Sequence, residues 1–105
     1  MPSSSADTLI TLVNVFTVDP GNQADLVAAL QDGTEAFFSR MPGFISSRVL
    51  RGQSGCQVIN YSQWRSVADI EGFRGDPNFA PYMQRIAALG KGESILCDVA
   101  FARNA

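Results

Sequence analysis

Two asparagines stand where strands ordinarily exclude them: Asn14 in the middle of Leu12-Val13-Asn14-Val15-Phe16, and Asn60 in the middle of Val58-Ile59-Asn60-Tyr61-Ser62. Amide side chains are depleted from strands, and one buried without partners costs roughly 1–3 kcal/mol, so each needs a reason. A side-chain period of two puts Asn60, Ser62 and Trp64 on one face of their strand. Two inward amides and an indole resemble the lining of a mostly apolar ligand pocket with a few convergent donors, a lining that can hold a flat molecule. Taken singly, each residue also has a structural explanation. The amides can satisfy each other or nearby backbone, Trp64 can simply fill the core, and Tyr82 and Met83 read as packing residues.

Other chemistries are closed off by composition. The chain has no histidine, which removes Ser-His-Asp and Cys-His nucleophiles, histidine-ligated haem and most zinc sites. No glycine-rich phosphate loop follows a strand. Asp32 with Glu35 is the one close carboxylate pair within a helix, and it reads as a solvated face. Asp98 is the acid inside an expected strand and hence a candidate base, with a solvent-facing edge as the alternative explanation. Arg48 and Arg51 read as surface arginines. Eight Lys and Arg against ten Asp and Glu give a net charge of −2, and the basic residues are scattered, which argues against nucleic acid and anionic membranes. Cys56 and Cys97 have no ligand spacing, so buried structural thiols in a reducing, cytoplasmic compartment are expected. Neither a signal peptide nor a membrane span fits the N-terminal stretch.

The elements that must position these residues follow from patterning. Residues 1–7 read as a flexible tail and 8–105 as one domain. Leu9 to Val18 reads as a strand closed by Asp19-Pro20-Gly21. Asn22 can cap a helix carrying Leu26, Val27, Leu30, Phe37 and Phe38, which Met41-Pro42-Gly43 ends. Gly33 weakens that helix by about 1 kcal/mol relative to alanine. Phe44 to Arg51 and Gln57 to Trp64 read as a hairpin. Ser66-Val67-Ala68-Asp69 starts a short helix with Ile70 and Phe73. Another helix begins near Asn78, with Pro81 in its first turn. Gly90-Lys91-Gly92 is expected to close it, and Glu93 to Ala102 to form the last strand.

The order βαββαβ predicts an α+β, ferredoxin-like fold, with a four-stranded antiparallel sheet whose helices cover one face and whose first and third strands are central. The opposite face carries Val13, Val15, Ile59 and Tyr61, apolar enough to require a second sheet, which predicts a homodimer.

Strand 1 (Val13-Asn14-Val15-Phe16-Thr17-Val18), Met41-Pro42-Gly43-Phe44 and Val58-Ile59-Asn60-Tyr61-Ser62-Gln63-Trp64 together resemble the antibiotic biosynthesis monooxygenase family of the dimeric α/β-barrel superfamily. The resemblance spans nearly the whole chain. It implies a cofactor-independent monooxygenase, with O2 as co-substrate, that oxidises a flat phenolic or anthrone-type polyketide intermediate to a quinone. It also implies Asn14, Asn60 and Trp64 as the catalytic set. Phe16, Phe37, Ser62, Tyr82 and Met83 are expected to contact the small aromatic substrate. The haem-degrading branch needs a histidine on the last helix, where this chain has Met83. Amides and indole are not bases at neutral pH, which leaves Tyr82 and Asp98 as weak candidates for proton removal. Two other readings share the scaffold: a small-molecule binding dimer without redox chemistry, and a polyketide cyclase or isomerase.

Overall fold

The computed structural model describes residues 9–105; the expected tail, residues 1–7, lies outside the described residues. Strand β1 (Ile10–Val18) leads through a 3-10 turn at Pro20–Asn22 into α1 (Gln23–Ala36) and a second 3-10 turn at Phe38–Arg40. The hairpin β2 (Phe44–Arg51) and β3 (Gln57–Trp64) follows, then α2 (Val67–Arg74), α3 (Phe79–Ala87) and β4 (Gly90–Cys97). The strands form one antiparallel sheet in the order β2-β3-β1-β4, so β1 and β3 are the central pair.

Helix starts and stops follow local chemistry, with two departures from expectation. Ser66 caps α2 as its sequence signature predicts, its Oγ accepting from the Asp69 N–H at 3.2 Å. Asn22 makes no side-chain cap; it sits in the 3-10 turn. Gln23 instead ties the helix start to the hairpin, its Nε2 donating to the Gly52 and Gln57 carbonyls at 2.9 and 3.0 Å. Helix α1 also stops earlier than expected, at Ala36. Phe37 leaves helical geometry (φ −128°, ψ −66°) and the chain tightens into the 3-10 turn that carries Phe38.

The last strand starts earlier and ends earlier than its pattern suggests. Glycine is disfavoured in strands, so Gly90-Lys91-Gly92 reads as a helix stop; here Gly92 pairs with Phe16 and Gly90 with Val18 inside β4. The reason is close approach: a Cβ at Gly92 would stand 2.6 Å from the Phe16 ring. Val99 and Phe101, expected to alternate within the strand, lie beyond its end, and Phe101 is 82% exposed.

Helices cover one sheet face and leave a divided core. One buried cluster joins Phe16, Val18 and Val58 of the sheet to Leu26, Ala29 and Leu30 of α1 and Ile86 of α3. The other joins Leu12 and Trp64 to Ile70 and Phe73 of α2. On the opposite sheet face, Val13, Val15, Ile59 and Tyr61 are only half buried, while Leu50 and Ile95 are exposed.

Candidate active site

Between the two core clusters lies a cavity of about 560 Å³, roofed by α1, α2 and α3 and floored by the sheet. That is within the range of small-molecule sites. Both clusters contribute wall: Phe16, Leu30 and Ile86 from one, Leu12, Trp64 and Phe73 from the other.

The floor is set by strand register. Asn14 on β1 and Asn60 on β3 are direct cross-strand partners, and Ser94 on β4 pairs with Asn14, so Ser94, Asn14 and Asn60 form one row across the sheet. The next row brings Leu12, Ser62 and Ser47 into line. Asn60 is 7% exposed; its Oδ1 accepts from the Ser47 hydroxyl at 3.0 Å. Asn14 Oδ1 accepts in the same way from the Ser94 hydroxyl. Each amide oxygen is thus satisfied by a serine from a flanking strand, and not by the other amide.

Trp64 is 1% exposed and lines the cavity. Phe38, Phe44 and Phe73 pack around its ring, with centroids 6.3, 5.3 and 4.8 Å away. Its N–H donates to Ser62 Oγ at 3.0 Å. Ser62 lines the wall as expected, but its hydroxyl is committed to Trp64 and to the Leu12 carbonyl, so it orients the indole.

Phe16, Tyr82 and Met83 also line the cavity; Phe37 does not. The break in helical geometry at Phe37 turns that ring against the second core cluster and brings Phe38 into the wall, 5.1 Å from the Tyr82 ring. A helical pattern continued through both residues cannot show this switch. Tyr82 reaches the cavity because Gly33 lets α3 close on α1: a Cβ at Gly33 would collide with the Tyr82 ring. Burial pushes the Tyr82 hydroxyl up to about 12, against the pull of the Arg85 guanidinium, so it is a neutral hydrogen-bonding group at physiological pH and no base.

Asp98, the other weak base candidate, lies past the end of β4, is exposed and is absent from the cavity wall; the acid within that strand is Glu93. Among the described residues, no carboxylate lines the cavity. Asp32 forms an exposed ion pair with Arg85 at 3.2 Å, in keeping with a solvated face. Among the described residues, no three of His, Cys, Asp or Glu come together to hold a metal, and Cys56 and Cys97 are free, half-buried thiols. Ser47, Ser94 and Arg74 line the cavity without having been singled out from sequence. Serine is common enough that only the register reveals the first two.

Fold and cavity define a class: a ferredoxin-like α+β domain with a largely apolar cavity whose wall carries two amides and an indole and, among the described residues, no acid. Residues 9–85 match the family model for antibiotic biosynthesis monooxygenases, and the chain belongs to that family. It is 38% identical to tetracenomycin-F1 monooxygenase of Streptomyces glaucescens over 96 residues, covering 91% of this chain and 86% of that protein. Its structure is similar to that of the monooxygenase ActVA-Orf6 of Streptomyces coelicolor in complex with nanaomycin D (TM-score 0.83, 25% identity, 97% of this chain and 96% of that one). It is also similar to SnoaB, a cofactor-independent oxygenase from Streptomyces nogalater (TM-score 0.72, 29% identity, 93% and 96%). No helix of the described residues is long and apolar enough to cross a membrane.

Proposed function

We propose that this chain is a cofactor-independent monooxygenase that converts a flat phenolic or anthrone-type polyketide intermediate to a quinone with O2. The observation that carries this reading is the facing pair Asn14 and Asn60 on the floor of an apolar cavity that Trp64 also lines. The named activities of tetracenomycin-F1 monooxygenase and SnoaB support it.

Triplet oxygen reacts slowly with closed-shell molecules, so an electron-rich anion of the substrate supplies the first electron. Superoxide and the substrate radical then combine to form a C–O bond. Protonation of the resulting peroxide, loss of the remaining hydrogen on that carbon as a proton and cleavage of O–O release water and leave the new carbonyl. In sum, CH2 plus O2 gives C=O plus H2O, with the substrate as reductant. The amides of Asn14 and Asn60 hydrogen-bond the substrate oxygen on which charge builds up; Trp64 orients the ring system; Phe16, Phe38, Tyr82 and Met83 keep water away.

The working form in this reading is a homodimer in the cytoplasm. The half-buried Val13, Val15, Ile59 and Tyr61, with exposed Leu50 and Ile95 beside them, support packing of two sheets face to face. The two free thiols are in keeping with a reducing compartment.

The test is oxygen consumption by purified, chelator-treated protein with a panel of anthrones and dihydroxynaphthalenes, beside Trp64→Phe and a protein-free control. Uptake with quinone formation, lost in the variant, is the expected result. No uptake above the control, with ligand still quenching tryptophan fluorescence, would make the chain a binding protein instead.

A further inference from the structure

Ser47 and Ser94 come from the two outer strands, β2 and β4, and close on the central amides from opposite sides. Ser47 Oγ donates to Asn60 Oδ1 at 3.0 Å, and Ser94 Oγ donates to Asn14 Oδ1. With each amide oxygen held this way, the group left to each asparagine is its NH2. Among the described residues, neither NH2 has a protein acceptor, and neither counts among the sealed, unpartnered polar atoms, so both open onto accessible space.

The Thr34 and Ser62 hydroxyls donate to the Leu30 and Leu12 carbonyls. The Tyr82 hydroxyl is neutral, and Arg74, at the end of α2, has no ion-pair partner among the described residues. Lys91 joins the wall on β4, but its pairing with Thr17 puts its side chain on the opposite sheet face. The cavity therefore offers two amide NH2 groups and the neutral Tyr82 hydroxyl, with Arg74 at its wall and, among the described residues, no carboxylate to repel an anion.

We propose that Ser47 and Ser94 are positioning residues that fix Asn60 and Asn14 as a paired-donor site, and that this site takes the ionised hydroxyl of a polyhydroxy-aromatic ligand, a phenolate or enolate, in preference to the neutral form. The ligand class rests on the oxygenase reading; the test needs no oxygen and no turnover. The proton is lost to solvent as the ligand binds, which supplies the reactive anion without a base in the wall. Hydrogen bonds to the charged form and a nearby cation lower a hydroxyl pKa by about one to three units.

The probe is a dihydroxyanthraquinone, already at the quinone level, whose visible band moves to longer wavelength on ionisation. Its apparent pKa is read free and bound to wild type, Ser47→Ala, Ser94→Ala, the double alanine variant and Ser47→Thr. The expected result is a bound pKa at least one unit below the free one. Each alanine should return part of the shift and the double variant most of it, while threonine, which keeps the hydroxyl, preserves the shift. Circular dichroism and tryptophan emission establish that the variants are folded. A bound pKa equal to or above the free one, or no binding to wild type at any pH, overturns the anion site. A lowered pKa that the alanine variants leave intact overturns the role of the serines. A wild type that shows the shift but consumes no oxygen with any anthrone keeps this proposal and removes the oxygenase reading.

Discussion

The indole N–H of Trp64 donates to Ser62 Oγ at 3.0 Å, and Ser62 in turn reaches the Leu12 carbonyl at 3.5 Å, so the ring is tied to both central strands. Ser62→Ala leaves a buried indole N–H unpaired and is expected to cost about 1–3 kcal/mol. Trp64→Phe removes donor and volume together and should cost a similar amount while also lowering turnover. Urea unfolding of the two variants checks the pair; a Ser62→Ala protein as stable as wild type would show that the bond does not hold the ring.

Asn14 and Asn60 act through N–H donors in the proposed reaction, so truncating either should lower kcat by on the order of 10²-fold, as for loss of one oxyanion-hole donor. Asn60→Asp, nearly the same shape, replaces the donor with a negative charge facing an anionic substrate. It should be worse than Asn60→Ala in both kcat and KM. Steady-state kinetics that rank aspartate above alanine would overturn the donor role of Asn60.

In an isolated helix, Gly33→Ala would stabilise by about 1 kcal/mol. Here the added methyl collides with the Tyr82 ring, so the net effect is expected to be destabilising, and Tyr82→Ala should restore the gain. Denaturation midpoints of the two single variants and the double variant report this coupling directly.

Tyr82 has its hydroxyl pushed from 10.0 up to about 12 by burial. Below pH 10 it is neutral in both folded and unfolded chains, and its contribution to stability is constant. As pH rises from 10 toward about 12, the unfolded chain ionises first, and stability is lost. The melting temperature of wild type should fall more steeply over that window than that of Tyr82→Phe, and the two should run parallel between about pH 6 and 9.

The outer sheet face is the interface of the proposed dimer, and Ile59 lies on a central strand of that face. Sedimentation should find wild type dimeric at micromolar concentration and Ile59→Asp monomeric, because burying an unpaired carboxylate is costly. A monomeric wild type would leave the half-buried apolar face without an explanation.

Much of this protein is legible in its sequence because the relevant signals are local. Period-two alternation marks Phe44–Arg51 and Gln57–Trp64 as strands, Ser66 announces α2 through its own hydroxyl, and two asparagines inside apolar runs call for partners wherever they occur. What the sequence could not supply is set by contacts between distant segments. Gly90 and Gly92 look like a stop until Val18 and Phe16 lie against them; Gly33 looks like a weakness until Tyr82 packs on it. Ser47 and Ser94 look like ordinary strand serines until register sets them against Asn60 and Asn14, 13 and 80 residues away along the chain. Whether Phe37 or Phe38 faces the cavity is decided by a single departure from helical geometry that no helical periodicity encodes. Residue type and spacing thus determine which elements form and which side chains need partners, whereas strand register and helix approach decide which partners they find.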